Sequence, residues 1–133
     1  MSRNRYLLPL GFVLSAMLPA VADAGATWTY LYLEANFRCD NGVTAQGYSV
    51  YAVGNVAELG NWDTEKAVLL GSAAYPSWSA KIKFTKAKPG DVIEWKCIIR
   101  NEKPPYDVKT WQSGPDNQVT MTFSASLQTT GQF

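Results

Sequence analysis

Two stretches of this chain alternate residue by residue between apolar and polar, and that period of two constrains the fold more than any other feature. Trp78, Ala80, Ile82 and Phe84 fall on one side, with Ser79, Lys81 and Lys83 on the other. Ile93, Trp95, Cys97 and Ile99 then share a face opposite Glu94, Lys96, Ile98 and Arg100. Alternate residues of a strand point to opposite faces of a sheet, so each stretch reads as a strand with one face in a core. Shorter or less regular extended stretches are predicted over 28–37, 48–53, 67–70, 109–112, 119–123 and 127–133. Asn41-Gly42, Gly60-Asn61, Pro89-Gly90, Pro104-Pro105 and Gly114-Pro115 supply turns between them. No helix longer than a turn is expected. About eight short strands at this spacing predict an all-β sandwich or barrel.

Residues 1–24 stand apart from this pattern. Arg3 and Arg5 precede an apolar run from Leu7 to Leu18, and Ala22-Asp23-Ala24 follows as an A-x-A site. That order is the signature of a secretory signal peptide. A membrane anchor is the alternative, but the run is short for a bilayer and the small-residue site follows it directly. The expectation is therefore export, to the extracellular space or the periplasm, and one domain over 25–133. Within an exported domain, Cys39 and Cys97 are the only two cysteines. Two such thiols point to a disulfide, with two buried free thiols as the alternative.

Charge and residue inventory exclude several functions. Of 12 basic and 11 acidic side chains, Arg3, Arg5 and Asp23 lie in the first 24 residues, which leaves the domain evenly balanced. A balanced domain with no basic run is poorly suited to nucleic acid or an anionic membrane. The chain has no histidine, the commonest general base and metal ligand. Neither a metal nor a cofactor is expected. Glycoside hydrolysis needs two carboxyls flanking one bond, whereas Glu58, Asp63, Glu65 and Glu94 read as surface charge, with no pair singled out.

Aromatic residues carry the positive signal. Trp95 and Trp78 run in step with isoleucines and are assigned to the core. Trp62 follows Gly60-Asn61 and precedes Asp63-Thr64, and Trp111 precedes Gln112-Ser113-Gly114. A large aromatic in a polar turn either lids the core edge or waits for something to cover it. A pyranose ring presents an apolar C–H face that suits an indole, and its hydroxyls need polar partners such as Lys96 and Glu94.

Val50-Tyr51-Ala52-Val53-Gly54-Asn55-Val56-Ala57-Glu58-Leu59-Gly60-Asn61-Trp62-Asp63 closely resembles the signature of the family 20 carbohydrate-binding modules, the starch-binding domains. Ala67-Val68 with Leu70, Tyr75-Pro76-Ser77-Trp78, Glu94-Trp95-Lys96 and Trp111-Gln112-Ser113-Gly114 follow in the family's order, so the resemblance covers about residues 29–133. It implies an immunoglobulin-like antiparallel β-sandwich that binds starch-type α-1,4-glucans without catalysis. By resemblance, Trp62 and Trp111 form the stacking platform of a first site, with Lys96 and Glu94 as polar partners. The family's asparagine after the second tryptophan falls on Asp116 by direct counting, or on Asn117 with one inserted residue. A second site centres on Tyr75, near Gln46, where the family often has an apolar residue. The Cys39–Cys97 pair resembles that of a subset of bacterial members. The implied ligands are starch, amylose, glycogen, maltooligosaccharides and cyclodextrins, with a secreted amylase as a working partner and the chain itself a monomer. Two other functions share this sequence pattern: a small secreted glucan-active enzyme, and a surface adhesion or assembly sandwich.

Overall fold

A computed structural model describes residues 32–133. The signal peptide, its cleavage site and the first part of the strand expected over 28–37 lie outside the described residues. Nine strands follow: β1 (Leu33–Asp40), β2 (Tyr48–Gly54), β3 (Val68–Leu69), β4 (Gly71–Ala74), β5 (Ser77–Phe84), β6 (Val92–Asn101), β7 (Val108–Trp111), β8 (Asn117–Thr120) and β9 (Gln128–Gln132). Between β2 and β3 the chain forms two 3₁₀ segments, Ala57–Trp62 and Thr64–Lys66.

The strands make two sheets. One runs β4-β5-β1-β9, and the other runs β3-β2-β6-β7 with β8 also paired to β6. All pairings are antiparallel except β1 with β9. The fold is the expected all-β sandwich, with one parallel pair where the first and last strands meet.

Alternation decides what lies between the sheets. Leu33, Ala35, Phe37 and Cys39 of β1, Trp78, Ile82 and Phe84 of β5, and Ile93, Trp95, Cys97 and Ile99 of β6 are buried in one cluster. Trp95 sits at its centre, edge-on to Phe37 with ring centroids 4.8 Å apart, and its Nε1–H donates to Thr129 Oγ1 at 2.9 Å. Trp78 is likewise buried and donates to the Gly42 carbonyl at 2.8 Å. Both indoles thus have the polar partner a buried tryptophan needs. A disulfide between Cys39 and Cys97 joins β1 to β6 across the core.

A second buried cluster lies on the other face of β2 and β6, where Tyr51, Val53 and Ile98 are covered by Ala67 and Val108. The segment between β2 and β3 therefore packs over the outer face of this sheet. At Leu70, which is buried and donates its N–H to the Val50 carbonyl at 3.0 Å, the chain leaves the second sheet for the first.

Candidate functional site

Just after β2, Gly60, Asn61 and Trp62 occupy the left-handed region in succession, with φ of 81°, 50° and 65°. Glycine adopts this freely and asparagine tolerates it, but an aromatic residue rarely does. Local hydrogen bonds hold the chain there. Asn61 N–H donates to Val56 O, Asp63 N–H to Gly60 O and Lys66 N–H to Asp63 O, all at 2.9–3.0 Å. The Asp63 carboxylate caps the next turn by accepting from Glu65 N–H at 3.0 Å. Leu59 roots the segment in the core, and Trp62 is left 37% exposed.

Trp111 ends β7 directly opposite Ile98 of β6, so it shares the outer face, and it is 45% exposed. β7 and β8 both pair with β6, and residues 112–116 bulge out between them. That break leaves ladder groups without strand partners, and two side chains supply them. Gln112 Oε1 accepts from Cys97 N–H at 2.9 Å. Lys96 Nζ donates to the carbonyls of Gln112 at 3.0 Å, Gly114, and Pro115 at 3.5 Å. Lys96 points outward as alternation predicts, yet its donors are aimed at the loop that follows Trp111.

Glu94 lies beside it on the outer face, half-buried, with one carboxylate oxygen 3.3 Å from the Gln118 amide nitrogen. Asn117 points the other way. Its register partner is Trp95, so it faces inward, and both ends of its amide engage Gln112, at 2.7 and 2.9 Å. The neighbouring Asp116 is exposed. Glu58, Asp63 and Glu65 hold backbone groups or lie on the surface, as surface charge should.

Tyr75 lies elsewhere, at the turn between β4 and β5. Its ring is 50% exposed, meets Trp78 edge-on at 6.0 Å, and its hydroxyl oxygen accepts from Thr44 N–H at 3.2 Å. It borders a depression of about 580 Å³ that Gln46, Leu69, Trp78 and Glu102 also line.

Sequence reasoning missed Arg100. Alternation puts it on the outer face, but it is only 5% exposed. Its guanidinium lies over the Tyr51 ring at 3.8 Å and the Tyr106 ring at 4.7 Å. Nη1 donates to the carbonyls of Thr64 at 3.0 Å and Glu65 at 3.3 Å, and Nε donates to Asn101 O at 3.0 Å. The segment after Trp62 is thus fastened to β6, the strand that pairs with the one carrying Trp111. A cation among apolar neighbours, with Tyr51 beside it on the next strand, was the available signal.

Comparisons with known proteins show the family. The sequence model of the starch binding domain family matches residues 32–131. The chain is 50% identical over 102 residues to a glucan 1,4-alpha-maltotetraohydrolase of Roseateles saccharophilus, covering 76% of this chain and 18% of that enzyme. It is 46% identical over 96 residues to a cyclomaltodextrin glucanotransferase of Klebsiella oxytoca, covering 71% of this chain and 14% of that enzyme. The chain therefore spans less than a fifth of the length of either. Among solved structures, the family 20 module of a maltotetraose-forming amylase from Pseudomonas saccharophila STB07 superposes with a TM-score of 0.67 at 49% identity, covering 76% of this chain and all of that one.

Proposed function

This chain belongs to the starch-binding domain family, and from that premise we propose that it binds starch-type α-1,4-glucans without cleaving them, on a platform made by Trp62 and Trp111. The observation that carries the proposal is a pair of exposed indoles, one at a left-handed φ in a segment bonded to Arg100 of β6, the other on β7, which pairs with β6. Backbone strain of this kind costs on the order of 1–3 kcal/mol and persists where the surroundings over-determine it, which is common at binding sites.

On this reading a glucosyl ring lays its C–H face on each indole, and its hydroxyls find the Glu94 carboxylate and Lys96. The Lys96 contact to Pro115 O, at 3.5 Å, is long enough to be exchanged for a sugar hydroxyl. Asp116, exposed at the loop, is the alternative to Asn117 for the loop's polar contact. Contacts this shallow gain little beyond the cost of immobilising the sugar, so one site binds weakly. The depression beside Tyr75 is the proposed second site. Export after cleavage at Ala24, with a secreted amylase acting on the same polymer, completes the proposal.

The test is binding to β-cyclodextrin and pull-down on insoluble starch, with cellulose as the control. Trp62→Ala and Trp111→Ala are each expected to lose about 1–3 kcal/mol of affinity, the worth of a large apolar surface, while keeping the parent's circular dichroism. Normal starch binding by either variant refutes the platform. Release of reducing sugar by the pure protein would establish the enzymatic alternative.

A further inference from the structure

We propose that Arg100 is a positioning residue that fixes Trp62 relative to Trp111, and so determines whether the two indoles act as one platform. The inference rests on the platform reading above. Arg100 and Trp111 belong to neighbouring strands: Trp111 faces Ile98, two residues before Arg100 on the same side of β6. Through Nη1, Arg100 grips Thr64 and Glu65, the second and third residues after Trp62. One guanidinium therefore spans from β6, the strand paired with the one that carries Trp111, to the segment that follows Trp62.

The chemistry of the contact supports holding rather than charge pairing. Among the described residues no carboxylate forms an ion pair with Arg100; carbonyl oxygens and two tyrosine faces surround it. A planar guanidinium stacks between rings and donates in its own plane at once, whereas an ammonium does not, so lysine is a poor substitute at this position. Lys96, four residues earlier on the same face, makes the corresponding grip on the loop after Trp111. The two cations of β6 thus hold one tryptophan loop each. A platform held in advance binds more tightly because less is left to order when the sugar arrives.

The experiment is a double-mutant cycle on β-cyclodextrin affinity between Arg100→Lys and Trp62→Ala, with the thermal melt of each variant measured alongside. Arg100→Lys is expected to weaken binding roughly tenfold, as for one lost charge-assisted hydrogen bond, and to add nothing in the Trp62→Ala background. In the ligand-free protein labelled with 5-fluorotryptophan, the Trp62 resonance, assigned by its loss in Trp62→Ala, should broaden or shift while those of Trp78 and Trp95 stay in place. If Arg100→Lys does not fold, Tyr106→Leu, which removes one stacking face at the surface, is put through the same cycle and spectrum. Unchanged affinity in the folded variant, or an undiminished loss added to that of Trp62→Ala, overturns the positioning role. A parent that binds no glucan, or a Trp62→Ala protein that binds as the parent does, instead overturns the platform reading itself.

Discussion

Gly60 meets two demands at once. Its φ is +81°, and a Cβ there would come within 2.8 Å of the Lys66 carbonyl oxygen. Gly60→Ala should therefore destabilise the domain by about 1–3 kcal/mol and weaken glucan binding, because Trp62 takes its direction from this turn. Urea unfolding would show a lower midpoint at unchanged slope, and a variant as stable as the parent would contradict the strain argument. Asn117 and Asp116 separate structure from binding one residue apart. Asn117 faces inward, bonded to Gln112, and its amide nitrogen would lie 2.4 Å from a Cβ at Gly131, so it plugs the edge of the core. Asn117→Ala is expected to lower stability by about 1–2 kcal/mol, since it leaves the amide nitrogen of buried Gln112 without its acceptor. Asp116→Ala should leave the melt unchanged and reduce affinity for β-cyclodextrin. The reverse pattern would return the sugar contact to Asn117.

The strands β1 and β6 are joined by Cys39–Cys97, 58 positions apart in the sequence. In the chain-entropy model a loop of that size contributes ~4 kcal/mol, so replacing both cysteines by alanine should lower the unfolding midpoint sharply. Thiol titration of the denatured protein should find none free; two titratable thiols would remove the bond. How far each element was legible follows from what its residues face. β5 could be read directly, because it has one face in the core and one in water, and so could the first half of β6, before Ile98 and Arg100 are covered on its outer face. β4 was missed: Gly71-Ser72-Ala73-Ala74 is exposed along its whole length, so its sequence carries no alternation. The apolar run at 67–70 reads as one strand but belongs to two environments, since Val68 and Leu69 pair with β2 while Leu70 turns inward. Val119 and Met121 alternate, yet β8 ends at Thr120, where the Met121 N–H donates instead to Asp91 O at 2.8 Å. At the site, Trp62 and Trp111 could be singled out from their polar neighbours. The inward turn of Asn117 could not be, because it depends on register with Trp95, which no local pattern encodes.

Over the whole molecule, the proposed tryptophan platform and the proposed Tyr75 site are separate places on one domain, and on that proposal their pairing would govern behaviour on a solid polymer. A granule presents many parallel chains, so a second site engages at high effective concentration and raises avidity without new contacts at the first. Tyr75→Ala is expected to lose capacity on granular starch while still binding β-cyclodextrin at the platform. Identical granule isotherms for variant and parent would leave a single working site. The parallel pairing of β1 with β9 bears on a different property. Residue 32 lies at the start of β1 and residue 133 just past the end of β9, and the strands run side by side through five facing pairs, Asn36–Gln128 to Asp40–Gln132. Tension between those two ends drags the strands past each other, so the five pairs resist together in shear instead of unzipping one after another. The disulfide ties β1 onward to β6 and denies the chain slack. A domain strung this way is expected to resist tension applied between residues 32 and 133 more than an unzipping geometry would.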